Sequence, residues 1–241
     1  MEYDFKNLTF REIIDEDLEE TIHACSVQID IPSKKMFLTE GDEMNLLYYI
    51  RSGIVSLYMV DRNGAEKTLY RLTRGWYFGE IVSVLNLKRT SLHFITNEDT
   101  ILYGIERRDV LRLMESNTKF IASLLKCTCY KTIALRYEIA NFTYCSTKTR
   151  LLKSLYRDVD TSAVIDRQWY ALSKKRTHYE LGIDIGATRV TVSRLISELC
   201  CEGLLRTVNN QIQFASMLYN IMKAEIVDPE SFSKTMEPYY I

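Results

Sequence analysis

Proline is scarce in this chain of 241 residues, with three in all, and glycine occurs only nine times. So few breakers, beside 46% hydrophobic and 26% charged residues, exclude a collagen-like, low-complexity or disordered chain and leave a packed core within reach. No stretch runs long enough without charge to span a bilayer. The start, Met1-Glu2-Tyr3-Asp4-Phe5-Lys6, has no apolar core after a basic lead, so the expectation is a cytoplasmic protein with no membrane partner. The six cysteines, at 25, 127, 129, 145, 200 and 201, lack a disulfide-framework spacing, and reduced thiols are expected. The three histidines, His23, His93 and His178, fall in three separate segments, whereas a metal-dependent enzyme on a β scaffold needs them clustered with a carboxylate. We therefore expect no catalytic residues and no metal. A formal net charge of -1 excludes a uniformly basic nucleic-acid binder, so any DNA contact has to come from a local patch.

The length favours two modest domains over one large one. From about Ser33 to Glu106 the chain reads as short strands broken by turns. The β-branched and aromatic run Ile54 to Val60 leads into Asp61-Arg62-Asn63-Gly64, an Asn-Gly hairpin signal, and Glu66 to Leu72 closes the hairpin. Further turns at Gly41-Asp42, Thr73-Arg74-Gly75 and Asn97-Glu98-Asp99 keep the spacing of a jelly roll. From Arg107 the period becomes helical, and one long helix over about 107–145 is expected. Ile121, Leu125, Thr128, Thr132, Leu135, Ile139 and Phe142 step by four and three alternately, a heptad seam that wants a partner helix and predicts a homodimer. The pattern falters near Thr143, and Ser146 suits the N-cap of a new helix carrying Leu151, Leu152 and Leu155. The domain boundary is placed there, giving 1–145 and 146–241.

Two short helices follow between Thr177 and Leu199. Thr177-His178-Tyr179-Glu180 is a capping box, Gly186-Ala187 a turn, and Thr188 a cap for the second helix. On that helix Val192, Leu195, Ile196 and Leu199 form the buried face, which leaves Val190, Ser193, Arg194 and Ser197 outward with Arg189 beside them. An arginine can fork onto guanine O6 and N7, a serine can bond a base or phosphate, and a valine can pack on a thymine methyl. Arg206 to Phe214 then reads as a hairpin wing. Between Ser173 and Arg206 six basic residues (Lys174, Lys175, Arg176, Arg189, Arg194, Arg206) stand against four acidic ones (Glu180, Asp184, Glu198, Glu202). The tail from Ala215 to Ile241 adds at most one helix.

In this order of parts, and above all in Gly186-Ala187-Thr188-Arg189-Val190-Thr191-Val192-Ser193-Arg194-Leu195-Ile196, the chain resembles the CRP/FNR family of transcription regulators. The resemblance implies an α+β chain: an N-terminal double-stranded β-helix (a jelly roll of the cyclic-nucleotide-binding kind), a long dimerisation helix and a C-terminal winged helix-turn-helix. It implies DNA contacts at Thr188, Arg189, Val190, Ser193 and Arg194, with Arg194 reading a guanine. Val190 stands where the family commonly has glutamate, so the half-site should differ at that base pair. Cys25 stands alone where oxygen-sensing members carry a cysteine cluster, which argues against an iron-sulfur centre.

Phe78-Gly79-Glu80, then Arg89-Thr90-Ser91 after eight intervening residues, looks like the family's phosphate-binding cassette. Gly79 would let the backbone approach a ligand, Glu80 would accept from a ribose hydroxyl, and Arg89 and Thr90 would hold a cyclic phosphate. Leu135 and Arg136 fall where cyclic-AMP-responsive relatives place small hydroxyl residues. Cyclic AMP, another small effector in the same cavity, and no effector all stay open. The implied partners are double-stranded DNA, a small-molecule effector, a second copy of the chain and RNA polymerase. The alternative is a cyclic-nucleotide-binding module acting on a protein partner without DNA, and salt-sensitive binding to a palindromic site separates the two.

Overall fold

A computed structural model describes residues 3–4, 9–10 and 12–226, apart from 63, 65, 167 and 174. Two compact units emerge, Met1–Tyr144 and Cys145–Ile241.

In the first unit the order is β1 (Tyr3–Asp4), β2 (Thr9–Phe10), α1 (Glu16–His23), β3 (Val27–Ile31), β4 (Met36–Leu38), β5 (Leu46–Ser52), β6 (Val55–Val60), β7 (Glu66–Leu72), β8 (Tyr77–Phe78), α2 (Glu80–Leu85), β9 (His93–Thr96), β10 (Thr100–Glu106), α3 (Arg107–Ser116) and α4 (Thr118–Tyr144). One sheet runs β1-β2-β7-β6-β9-β4 and the other β3-β10-β5-β8, the two sheets of a jelly roll. Strand alternation explains the core: Thr68, Tyr70 and Leu72 point inward from β7, and β10 buries Leu102. The run Trp76-Tyr77-Phe78 is fully buried, with Phe78 stacked on Tyr48 at 4.8 Å and tilted against Phe94 at 5.1 Å. Each such aromatic contributes roughly 1.5–3 kcal/mol by leaving water.

The expected single helix over 107–145 is two helices. Asn117 separates them by serving both: its N–H closes α3 on the Leu113 carbonyl at 2.8 Å, and its side-chain oxygen accepts from the Phe120 N–H at 3.0 Å to cap α4. Strands β6 and β7 pair antiparallel as the hairpin expected around Asp61-Arg62-Asn63-Gly64. Within it Gly64 N–H donates to the Asp61 carbonyl at 3.0 Å, while Asn63 lies outside the described residues.

The second unit contains α5 (Thr147–Arg157), β11 (Val159–Ile165), β12 (Trp169–Leu172), α6 (His178–Ile185), α7 (Arg189–Cys201), β13 (Leu205–Val208), β14 (Gln211–Ala215) and α8 (Ser216–Ile226). Ser146 caps α5, its hydroxyl accepting from Thr149 N–H at 3.1 Å. The strands form one sheet, β11-β12-β14-β13, in which β13 and β14 are the wing. The wing turns on Asn209 and Asn210, both left-handed (φ 50° and 61°), as a two-residue hairpin loop requires. Leu151, Leu155, Leu181, Leu195, Leu199 and Phe214 fill the core of this unit. The tail contributes α8, and residues 227–241 lie outside the described residues. Among the described residues no helix is long and apolar enough to cross a membrane.

Candidate DNA-reading helix, helix seam and effector cradle

The helix-turn-helix is built by local chemistry. The capping box closes in both directions: Thr177 N–H donates to Glu180 Oε2 at 2.7 Å, and Glu180 N–H donates to Thr177 Oγ1 at 3.1 Å. Helix α6 ends at Gly186 in the left-handed region, and Thr188 Oγ1 accepts from Thr191 N–H at 3.2 Å to start α7. Gly182 holds the two helices close, since a Cβ there would sit 2.5 Å from the Ala187 carbonyl oxygen. Gly182→Ala is expected to cost about 1–3 kcal/mol as overpacking. Thermal melting of the variant checks this, and an unchanged midpoint would count against the close approach.

On α7 the apolar side is hidden, with Val192, Leu195, Ile196 and Leu199 all buried. The other side faces solvent: Val190 is 78% exposed and the Arg194 side chain 71%, with Arg189 and Ser197 also outward. Arg194 approaches Glu198 only at 4.0 Å. Ser193 is half-buried, its hydroxyl donating to the Arg189 carbonyl at 3.0 Å and lying 2.7 Å from His178 Nδ1. Beside this face, a groove of about 540 Å³ runs between Lys175, His178, Tyr179 and Arg189 and the wing residues Thr207 and Asn210.

Several of the charges in this stretch are engaged within the fold. Arg176 does not face a ligand: its side chain is 7% exposed and bonds Asp158 at 2.8 Å and Asp184. Burial alone would lower its pKa, and the two carboxylates outweigh that and raise it. Arg206 lies over the Trp169 ring at 4.7 Å and bonds Gln213 and Asp166 within the wing sheet. Lys174 lies outside the described residues. On the acidic side, Lys148 binds Glu198 at 2.8 Å and Glu202 at 2.6 Å, and its ammonium holds the Glu198 carboxyl below the usual range. Among the described residues of that stretch the cations left facing outward are Lys175, Arg189 and Arg194, fewer than the sequence count, and Lys175 and Arg189 line the groove beside the wing.

In the first unit, α4 carries two parallel heptad stripes. Phe120, Leu124, Cys127, Lys131, Ala134, Glu138 and Asn141 are buried. One residue on, the seam residues Ile121, Leu125, Thr128, Thr132, Ile139 and Phe142 are exposed, with Leu135 half-buried against the core. Leu125 is 61% and Ile139 65% exposed, an apolar edge that water does not favour.

The cassette residues are placed as follows. Gly79 is left-handed (φ 87°), and a Cβ on it would meet Met44 Cε at 2.5 Å, so glycine is required on two grounds. Glu80, next to it, accepts from Lys131 Nζ at 2.7 Å, and the side chains are 12% and 5% exposed. Arg89 is exposed and donates from Nη1 to the Gly41 carbonyl. Thr90 is buried and closes on its own loop, accepting from Leu92 N–H at 3.1 Å. Arg136 is exposed on α4. Glu80 is thus held by α4 and Arg89 by the segment before β5. Lys131, buried and charged, was not among the expected site residues. Among the described residues no group of three or more His, Cys, Asp or Glu could hold a metal ion.

Residues 28–117 match the family model described as cyclic nucleotide-binding domain. The cyclic AMP receptor protein of Thermus thermophilus is 28% identical over 175 residues, 73% of this chain and 77% of that one. Among solved structures, the c-di-GMP-responsive global regulator CLP of Xanthomonas campestris aligns with a TM-score of 0.72 at 18% identity, covering 83% of this chain and 99% of that one. A CRP/FNR-family transcriptional regulator of Thermus thermophilus aligns with a TM-score of 0.59 at 21% identity, covering 78% and 93%. The chain is thus similar in sequence to a cyclic AMP receptor protein over most of that relative's length, and it shares the fold of solved regulators that include a CRP/FNR-family member.

Proposed function

We propose that the chain is a homodimeric, sequence-specific DNA-binding regulator under the control of a small effector, reading an inverted-repeat operator. The observation that carries this reading is α7, whose apolar side is buried while Arg189, Val190 and Arg194 stand in solvent. Thr188, Arg189, Val190, Ser193 and Arg194 supply the DNA contacts, with Arg194 forking onto a guanine. Paired along the Ile121 to Phe142 seam, two copies set their reading helices in successive major grooves about 34 Å apart. The effector acts in the jelly roll by binding one of two states more tightly, which is the condition for any switch. The setting is cytoplasmic, and RNA polymerase is the partner through which transcription responds.

Arg194→Ala is expected to cost about 1–3 kcal/mol at one operator base pair and to relax the preference there. Gel shifts on an operator series read both quantities. Unchanged affinity together with unchanged base preference would refute the role.

A further inference from the structure

A cyclic nucleotide asks three things of this cassette: a carboxylate free to accept a ribose hydroxyl, a guanidinium for the phosphate, and a hydroxyl beside it. In this chain all three groups have internal partners. Glu80 accepts from Lys131 at 2.7 Å, and the same ammonium donates to the Tyr77 carbonyl. Arg89 turns outward to the Gly41 carbonyl, and Thr90 bonds the Leu92 backbone. The first of these is the strongest. Burial alone would lower the Lys131 pKa, yet the nearby Glu80 carboxylate and Tyr70 more than offset it, so the ammonium stays charged. Drawing Glu80 away from that cation exchanges a buried ion pair for a bond to a neutral hydroxyl and strands the ammonium, which is the unfavourable direction.

We propose that Lys131 is the specificity-determining residue of the cradle: pinned between Glu80 Oε1 and the Tyr77 carbonyl, it ties the carboxylate a ribose would need to α4 and sets the site against cyclic AMP and cyclic GMP. The lysine also does what a bound nucleotide would do, fastening α4 to the β8–α2 corner from within. The effector is then a molecule other than a cyclic nucleotide. This refines the effector part of the proposed function, and its readouts need no DNA, so it fails or holds apart from the role of Arg194.

Two measurements on the full chain decide it. Calorimetry of the wild type against cyclic AMP and cyclic GMP at millimolar concentration is expected to give no saturable heat. Lys131→Met is expected to lower Tm by on the order of 10 °C, because it leaves the Glu80 carboxylate buried without a cation. Adding Glu80→Gln in the double variant is expected to restore at least half of that loss. A one-to-one binding isotherm with the wild type overturns the proposal, and so does a double variant no more stable than Lys131→Met. The calorimetric arm stands even where a variant does not fold.

Discussion

Arg176→Met is expected to strip the Cys145–Ile241 unit of about 3–5 kcal/mol of stability and to lower its melting midpoint markedly. The guanidinium joins Asp158, the residue closing α5, to Asp184 on α6, and also donates to the Glu180 carbonyl at 3.3 Å. All three charged side chains are 7% exposed or less. Removing the cation leaves two buried carboxylates facing one another, at a cost of about 3–5 kcal/mol for the broken pairing. That is a large fraction of the roughly 5–15 kcal/mol that keeps a domain folded. Circular dichroism and thermal melting read the loss. Arg176→Lys should fall between, since an ammonium keeps the charge but cannot fork to two carboxylates. Asp158→Asn with Asp184→Asn in the Met background should recover part of the stability. A Met variant melting with the wild type would disprove the account.

If the proposed homodimer forms along this seam, Ile139→Asp is expected to convert it to a monomer and to lower affinity for the proposed operator on the order of a thousandfold, because one reading helix would hold only half a site. Ile139 and Leu125 project from the side of α4 that the barrel does not cover, at 65% and 61% exposure. A carboxylate buried in a dry seam bears a desolvation cost, whereas on a solvated face it is harmless. Sedimentation reads the first effect and a gel shift the second. An aspartate variant that stays dimeric, or a wild type that is monomeric, would remove the seam from the interface.

What the sequence made legible is what neighbouring residues decide among themselves. The Thr177–Glu180 box, the Thr188 cap, the Ser146 cap and the Val192 to Leu199 stripe are settled within a few residues, and each stands as expected. Ends and partners set by tertiary contacts were harder. Asn117 breaks the long helix by capping in both directions, a double role that its weak helix propensity does not announce. Strands β11 and β12 carry only a weak signal, the strand composition of Val159, Thr161, Val164, Ile165, Trp169 and Tyr170 on either side of Asp166.

Charge misled in two ways. Arg176 and Arg206 add to a basic count without adding to a basic face. Lys131 reads as solvated until it is placed on the stripe Phe120, Leu124, Cys127, Lys131, Ala134, where it shares the period of the buried residues. That register was available from the spacing alone, and the polar members Lys131, Glu138 and Asn141 concealed it.

A hydroxyl owns a single hydrogen and two lone pairs. At Ser193 the hydrogen is taken internally, by the Arg189 carbonyl or by the His178 ring nitrogen, so only lone-pair capacity remains. For a helix that reads DNA, a base edge meeting this oxygen has to bring its own hydrogen: the exocyclic amines of adenine and cytosine qualify, and guanine O6 and N7 do not. A phosphate oxygen, having no hydrogen to give, is turned away on the same ground.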